Sequence, residues 1–213
     1  LIVTSDTAQI IKPEMLPQLD SDVKKDIKEL FKGKKIIFLH AIASKDGGEF
    51  FAEKVIRPLN NFLLKHKEYG VIIGFDQKSS KSIKDLTLKK KLQCDTVYCY
   101  DYKNPWQLVS LLNEVNMIIT PKLHVGIVGA TLSKSVLSFP IHSEKTKRYY
   151  SQIGVPERSV SLKQLTDKMA EDMLEKYHDK NIILPQTVIQ AASKNLEILD
   201  EEIRTLLENR RFR

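Results

Sequence analysis

Five short apolar runs, each followed by a segment with helical spacing, constrain this chain more than any other feature. The runs are KKIIFLHAI, GVIIGF, TVYCY, NMIIT and KSVLSF. Parallel strands need crossover connections, and those connections are usually helices. Strict alternation of short buried strands with helices is therefore typical of a parallel sheet. We predict an α/β fold of the Rossmann-like kind, with helices on both faces of the sheet.

Six helices are expected: one before the first strand, four between the strands and one after the last. Ser21 is expected to cap the first of them, Pro105 to begin the fourth and Gly154 to end the sixth. The expected ranges are 21–32, 49–66, 80–92, 105–114, 122–132 and 146–153. The rest of the chain has a different pattern.

The C-terminal part is expected to be helical, over residues 161–177 and 186–211. The short run NIIL between these helices is its one strand-like pattern. The last helix carries an apolar stripe that must pack against this domain, another domain or a second chain. The stripe consists of Leu196, Leu199, Ile203, Leu206 and Leu207.

The charge balance favours anionic partners. The chain has 34 Lys and Arg against 27 Asp and Glu, a net charge of +7. Such an excess suits polyanions or phosphorylated small molecules, and charge alone does not choose between them. No apolar run is long enough to span a membrane and no signal-peptide pattern is present, so we expect a cytoplasmic protein. Cys94 and Cys99 share one apolar segment and are expected to be buried free thiols, without a metal.

The carboxyl ends of the fourth and fifth strands carry the best candidate for an anion site. Ligands of open parallel sheets bind at this edge, where helix N-termini offer free N–H groups. NMIITPKLHVGIVGATL places Lys122 and His124 there, and SFPIHSEKTKRYYSQIG places His142 and Lys145 beside them. These cations suit a donor with phosphate and carboxylate groups, and histidine can give up a proton near neutral pH.

A loop with Asp46, Gly47 and Gly48 is expected after the first strand. Its sequence, GGEFF, lacks the glycine spacing of a P-loop or a dinucleotide-binding motif. Gly47 either lets a substrate approach the backbone closely or belongs to an ordinary turn, and both remain open.

The segment from NMIIT to SQIG resembles a block of the polysaccharide pyruvyl transferases. In that family Arg-Leu-His opens a helix of small residues, and an apolar strand then leads to a loop with a lysine. Lys122 stands where the family usually has Arg, His124 matches the His and Lys145 matches the loop lysine. The opening LIVTSDTAQII is similar to the Asp-Pro-Ala-Phe-like stretch before the family's second domain, with Asp6 and Ala8 matching.

This resemblance implies the second half of a GT-B-like architecture. Residues 1–20 would be an interdomain segment, 21–160 a Rossmann-like donor-binding domain and 161–213 a C-terminal helical extension, with an N-terminal domain missing from the chain. The implied reaction moves a pyruvyl group from phosphoenolpyruvate to a sugar of a cell-surface polysaccharide precursor, without a cofactor.

The resemblance also implies roles for the candidate site residues. His124 would be the catalytic general acid. Lys122 and Lys145 would hold the phosphate and carboxylate of the donor. His142 and Gly47 are further candidate substrate-binding residues.

Two other functions remain open. A GT-B glycosyltransferase would use this half to bind a nucleotide sugar, although the sequence shows no clear pair of uridine-stacking aromatic and ribose-binding acid. A non-catalytic domain would use the same basic surface to bind an anion or a polysaccharide, and that surface also suits peripheral membrane association. Nucleic acid is not expected as a partner, and the oligomeric state is not predicted.

Overall fold

The structure, a computed structural model, describes residues 6–41, 45–75 and 87–211. Its sheet has five strands, all parallel, in the order β3-β2-β1-β4-β5. The strands are β1 Lys35–Ala41, β2 Tyr69–Phe75, β3 Val97–Tyr100, β4 Met117–Thr120 and β5 Ser135–Ser138. Each of the five apolar runs forms one strand, so the predicted parallel sheet is confirmed.

Eight α-helices lie within the described ranges. They are α1 Ser21–Phe31, α2 Lys45–Lys65, α3 Thr87–Lys91, α4 Pro105–Glu114, α5 Leu123–Thr131, α6 Ser143–Gln152, α7 Asp167–Tyr177 and α8 Gln186–Arg211. Short 3-10 helices occupy Thr7–Ile10, Pro13–Met15 and Pro156–Arg158. Residues 80–86 of the predicted third helix lie outside the described part, and α3 is its remaining end.

Helices cover both faces of the sheet, as predicted. Ile37 and Leu39 of β1 pack into one apolar cluster together with α2 and α7. Phe38, which points the other way, packs into a second cluster with α1, α4, α5 and α6. Because both faces of β1 are buried, its sequence is a continuous apolar run instead of an alternating one.

Helix α1 begins where expected, but its cap is Asp20 and not Ser21. The Asp20 carboxylate accepts a hydrogen bond from the Asp22 N–H at 3.0 Å, and Ser21 is the first helical residue. A carboxylate at this position also interacts favourably with the helix dipole. The helix ends through left-handed Lys32 (φ 45°) and Gly33 (φ 84°).

The predicted loop with Asp46, Gly47 and Gly48 is wrong, because α2 already begins at Lys45. Glycine costs roughly 1 kcal/mol relative to alanine inside a helix. Burial of an apolar residue contributes about 1.5–3 kcal/mol, and Phe51 and Leu59 of the same helix are fully buried. Packing of the apolar face therefore outweighs the local preference of the two glycines.

The segment before α7 is extended, so the prediction of a helix from residue 161 is wrong for its first residues. The Val160 N–H donates to Ser138 O at 3.1 Å, and the Leu162 N–H donates to Pro140 O at 2.9 Å. Ser159 also forms a parallel bridge with Ser138. The chain therefore follows the outer edge of β5 as far as Leu162. It then makes a turn in which the Gln164 N–H donates to Ser161 O at 2.9 Å, and α7 begins after its N-cap Thr166.

The run NIIL is not a strand, although the Ile182 N–H donates to Lys134 O at 3.1 Å. Both cysteines are free thiols, but Cys99 is exposed and Cys94 only partly buried, so their predicted burial is wrong. Cys99 is exposed because β3 is an edge strand of the sheet.

Helix α8 spans the predicted range, and its apolar stripe is about half exposed. The exposed fractions are 46% for Leu196, 54% for Leu199 and 46% for Ile203. The side chains of residues 206 and 207 are outside the described part. None of the described helices is long and apolar enough to cross a membrane.

Candidate functional site

A cleft of about 690 Å³ opens at the carboxyl edge of β4 and β5. This volume lies within the range of small-molecule sites, roughly 300–1,000 Å³. Three chain segments form its walls: the turn into α5, the turn into α6 and the extended segment beside β5. The lining residues are Pro121, Lys122, Leu123, His124, Ile141, His142, Ser143, Glu144, Lys145, Thr146, Ser161 and Lys163.

The turn after β4 brings Lys122 and His124 to the same cleft. Lys122 is the extended N-cap of α5 (φ −99°, ψ 126°), and Leu123 is the first helical residue. Residues two apart do not share a face within a regular helix. Because Lys122 still lies outside the helix, both side chains line the cleft.

Two glycines let α5 pack closely beneath this turn. A Cβ atom on Gly126 would lie 2.5 Å from the Tyr150 hydroxyl, and one on Gly129 would lie 2.6 Å from Ile118. A larger residue would therefore force the Tyr150 ring, the Ile118 side chain or α5 itself to shift. The small residues of GIVGA hold the start of α5 at the cleft.

The turn after β5 contributes His142 and Lys145. His142 is the N-cap of α6, and Lys145 follows in its first turn. Neither N-cap side chain, Lys122 of α5 nor His142 of α6, makes a capping hydrogen bond. Two helix starts without a side-chain cap thus face one cleft, and such starts favour anions.

The third wall comes from the segment between the 3-10 helix Pro156–Arg158 and α7. This segment lies beside β5 and contains Ser161 and Lys163. Sequence reasoning missed both residues, because it placed them inside a helix. The capping signal of Thr166, which is followed by DKMAEDML, could have shown that the helix starts later. Lys145 and Lys163 form no side-chain hydrogen bond or ion pair with any other residue of ranges 6–41, 45–75 and 87–211.

The cleft is strongly basic. Three lysines and two histidines line it, against the single carboxylate of Glu144. Four predicted site residues, Lys122, His124, His142 and Lys145, therefore lie together, while their roles remain predictions. Gly47 lies in the first turn of α2, and its surroundings are outside the described part.

His124 is paired with an acid from the N-terminal segment. Its Nε2 lies 3.8 Å from Asp6 Oδ2, and its side chain is 82% exposed. The other oxygen of Asp6 accepts a hydrogen bond from the Ala8 N–H at 2.9 Å, which fixes the carboxylate. The Asp6 carboxylate is thus fixed within ion-pair distance of the imidazole.

A metal centre finds no support within the described ranges, where no group of three or more His, Cys, Asp or Glu residues could hold an ion. The chemistry available to the cleft is that of ammonium, imidazole and helix N–H groups. These groups bind phosphate and carboxylate and can move a proton.

The chain matches no family model and no curated protein. Among solved structures, it is similar to a Methanocaldococcus jannaschii UDP-GlcNAc 2-epimerase in complex with UDP-GlcNAc and UDP. The TM-score is 0.60 at 11% identity, over 93% of this chain and 54% of the other. The S. aureus MnaA-UDP structure gives a TM-score of 0.61 at 12% identity, over 95% and 55%.

A third similar structure has another activity. It is the α,α-trehalose-phosphate synthase (UDP-forming) of Burkholderia xenovorans in complex with glucose-6-phosphate, with a TM-score of 0.56 at 11% identity, over 96% of this chain and 51% of the other. The chain spans about half the length of these proteins. At such low identity the likeness shows the fold alone, and the fold is half of a GT-B, Rossmann-like architecture.

Proposed function

We propose that this chain is the donor-binding half of a GT-B-type transferase. The cleft holds the phosphate of an activated donor while a group passes to a sugar acceptor, which a second domain would help to bind. The observation that carries this proposal is the meeting of two helix starts and three lysines in one cleft at the carboxyl edge of the sheet.

The phosphate is the group that such a cleft serves best. Negative charge grows on the phosphate as it leaves the donor, and preorganised cations and N–H groups stabilise it in the transition state. Lys122 and Lys145 are proposed as the main phosphate and carboxylate ligands. His142 and Lys163 complete the basic wall, and Gly47 remains a proposed contact at the neighbouring helix start.

His124 is the proposed general acid. An exposed imidazole at the cleft can exchange protons with a bound substrate, and Asp6 Oδ2 lies 3.8 Å from its Nε2. Proton transfer of this kind contributes typically 10²–10⁴-fold to rate, by order of magnitude.

A nucleotide sugar is the donor class that the structural neighbours favour. This chain aligns over 93% of its length with half of an epimerase that was solved with UDP-GlcNAc and UDP. The cleft of about 690 Å³ is also large enough for more than a single phosphate group. In this reaction the nucleoside diphosphate leaves, with its charge held by the lysines and the helix starts.

Phosphoenolpyruvate is the second candidate, favoured by the resemblance of the Lys122-Leu123-His124 block and Lys145 to the pyruvyl transferases. One sugar hydroxyl adds to the carbon that carries the phosphate while His124 protonates the neighbouring methylene, and the proton that this hydroxyl loses restores His124. A second hydroxyl then displaces the phosphate, which takes up the released proton, and a pyruvate ketal remains. No Phe, Tyr or Trp is among the residues that line the cleft, so a uracil ring would have only the two histidines to stack on, and this observation favours the smaller donor.

A thermal-shift comparison tests the proposal on this chain. The probes are UDP-N-acetylglucosamine, UDP, phosphoenolpyruvate and inorganic phosphate. A ligand at 100 times its dissociation constant stabilises the fold by about 2.7 kcal/mol, and about 1 kcal/mol raises Tm by roughly 2–4 °C in a chain of this size. We expect one donor class to raise Tm well beyond the effect of inorganic phosphate.

Variants locate the effect at the cleft. Lys145→Ala combined with Lys163→Ala should abolish most of the shift. Lys168→Ala is the matched control, because Lys168 is a surface lysine of α7 whose partner is Asp172. The proposal fails if no probe raises Tm, or if the double variant responds as the wild type does. If only UDP ligands raise Tm, the donor is a nucleotide sugar. If only phosphoenolpyruvate raises Tm, the donor is phosphoenolpyruvate.

A further inference from the structure

His40 is a buried histidine directly below the cleft. It is the second-last residue of β1, and its side chain is 1% exposed. Its ring stacks on Phe38, with centroids 5.9 Å apart and an interplanar angle of 23°. Packing alone would be served better by an apolar residue, because a buried polar group costs free energy unless it is hydrogen-bonded.

The ring of His40 joins two neighbouring elements through its two nitrogens. Nε2 lies 3.2 Å from the Tyr102 hydroxyl, and Nδ1 lies 3.3 Å from Thr120 Oγ1. Tyr102 follows β3, and Thr120 is the last residue of β4, where β4 lies beside β1 in the sheet. His40 therefore connects the ends of three strands at the edge where the cleft opens.

Thr120 carries this connection into the cleft wall. Its Oγ1 accepts the Lys122 N–H at 3.0 Å, and the side chain is fully buried. The hydroxyl proton of Thr120 has two acceptors within reach, Nδ1 of His40 at 3.3 Å and Lys122 O at 3.4 Å. When it is donated to Nδ1 of His40, that nitrogen carries no proton and Nε2 donates to Tyr102.

We propose that His40 is a positioning residue that acts through Thr120. The neutral, Nε2-protonated ring orients the Thr120 hydroxyl, which holds the turn that presents Lys122 and His124 to the donor. This inference rests on the proposed function for its effect on binding, but its structural part can be tested without any donor.

A pair of variants at Thr120 separates positioning from packing. Thr120→Val keeps the shape and removes the hydroxyl, whereas Thr120→Ser keeps the hydroxyl and removes a methyl group. We expect Thr120→Val to weaken donor binding by about 10-fold, the loss of one hydrogen bond of about 1.4 kcal/mol, and Thr120→Ser to remain within about 2-fold of the wild type. Isothermal titration of the folded protein with UDP-N-acetylglucosamine and with phosphoenolpyruvate measures both. Equal binding by Thr120→Val and the wild type would overturn the proposal, as would equal losses in the two variants.

Two NMR measurements decide the structural part without a ligand. The ¹⁵N shifts of His40 in the wild type should show a neutral ring protonated at Nε2, and a ring protonated at Nδ1 would overturn the proposal. The Lys122 amide should exchange with solvent about 10-fold faster in Thr120→Val than in Thr120→Ser, and equal exchange rates would also overturn it. If the wild type binds no donor while these NMR results hold, the proposed function fails and the positioning of the turn stands.

Discussion

The two edges of the sheet carry similar side chains in opposite electrostatic settings. At the carboxyl edge, two histidines and three lysines line the cleft against one carboxylate. At the amino edge, two histidines and a lysine lie among acids in a cluster that joins β1, β2 and α7. This amino-edge cluster consists of Lys35, His66, Glu68, Tyr69, Glu175, His178 and Asp179.

In the amino-edge cluster the charges pair with each other. His66 Nε2 lies 2.9 Å from Glu175 and Nδ1 lies 3.3 Å from Glu68. Both carboxylates can accept from the ring together only when both nitrogens carry a proton. The hydrogen bond from His66 lowers the pKa of Glu175 below its usual range.

The same compensation occurs around Asp179. Its Oδ1 accepts from Lys35 at 2.7 Å and from Tyr69 at 2.8 Å. The hydrogen bond from Lys35 is the main cause that lowers the pKa of Asp179. Burial raises the pKa of the Tyr69 hydroxyl, so tyrosine remains a neutral donor here.

The comparison distinguishes charged groups that stabilise the fold from charged groups that are available to bind a ligand. Paired groups at the amino edge fasten α7 to the sheet and leave little attraction for a ligand. At the carboxyl edge Lys145 and Lys163 have no partner within the described residues, so an anionic donor is the partner that their positions fit.

The largest expected effect is on turnover. His124→Asn in the complete protein should lower kcat by about 10²–10⁴-fold, because the proposed general acid is removed. Its Tm should change little, since the side chain is 82% exposed. His66→Asn is the matched control at the other edge, where Tm should fall and kcat should not change. Loss of activity in His66→Asn, or full activity in His124→Asn, would contradict the different roles assigned to the two edges.

A smaller effect is expected from Lys163→Ala. Loss of one charge-assisted contact of about 1.5 kcal/mol should weaken donor binding by about 10-fold. Titration calorimetry measures the dissociation constant, with Lys168→Ala as the surface control. Unchanged donor affinity in Lys163→Ala would show that the segment beside β5 does not contribute to donor binding.

The smallest effect is expected from Glu175→Gln, which keeps a hydrogen-bonding group and removes the charge. The carboxylate is partly exposed, so the loss should be about 0.5–1 kcal/mol at neutral pH, or roughly 1–4 °C in Tm. The pKa of Glu175 is lowered in the folded state, so its contribution is full above the ordinary value of 4.5 and is lost as pH falls through the lowered pKa. Thermal unfolding at several pH values should show the two proteins converging in acid. A difference that grows in acid would contradict this assignment.

Strands were the part of the fold that sequence predicted best. Runs such as NMIIT have both faces buried, and their continuous apolar character shows directly in the sequence. The first residues of helices were harder to predict, because the local conformational preference of a residue competes there with tertiary packing. At Gly47 packing of α2 extended the helix backward, and at Ser161 backbone hydrogen bonds to β5 kept the chain extended.

The cleft was predicted in part for the same reason. Lys122 and Lys145 follow strand ends, and a parallel sheet brings such ends together. Lys163 reaches the cleft through one isolated bridge and two backbone hydrogen bonds, which no periodic pattern records. The contacts of His40 and Thr120 join residues 80 positions apart, and an apolar run gives no sign of them.

The position of Asp6 has a practical consequence for anyone who shortens this chain. The 3-10 turn that follows Asp6 packs against α5 and α8, and the Asp6 carboxylate lies 3.8 Å from His124, so the segment before residue 21 forms part of the proposed site. A truncation beginning at α1 would keep all five strands and would look intact by circular dichroism. It would nevertheless lack the acid beside its imidazole, and inactivity of such a fragment would not argue against the proposed function of the longer chain.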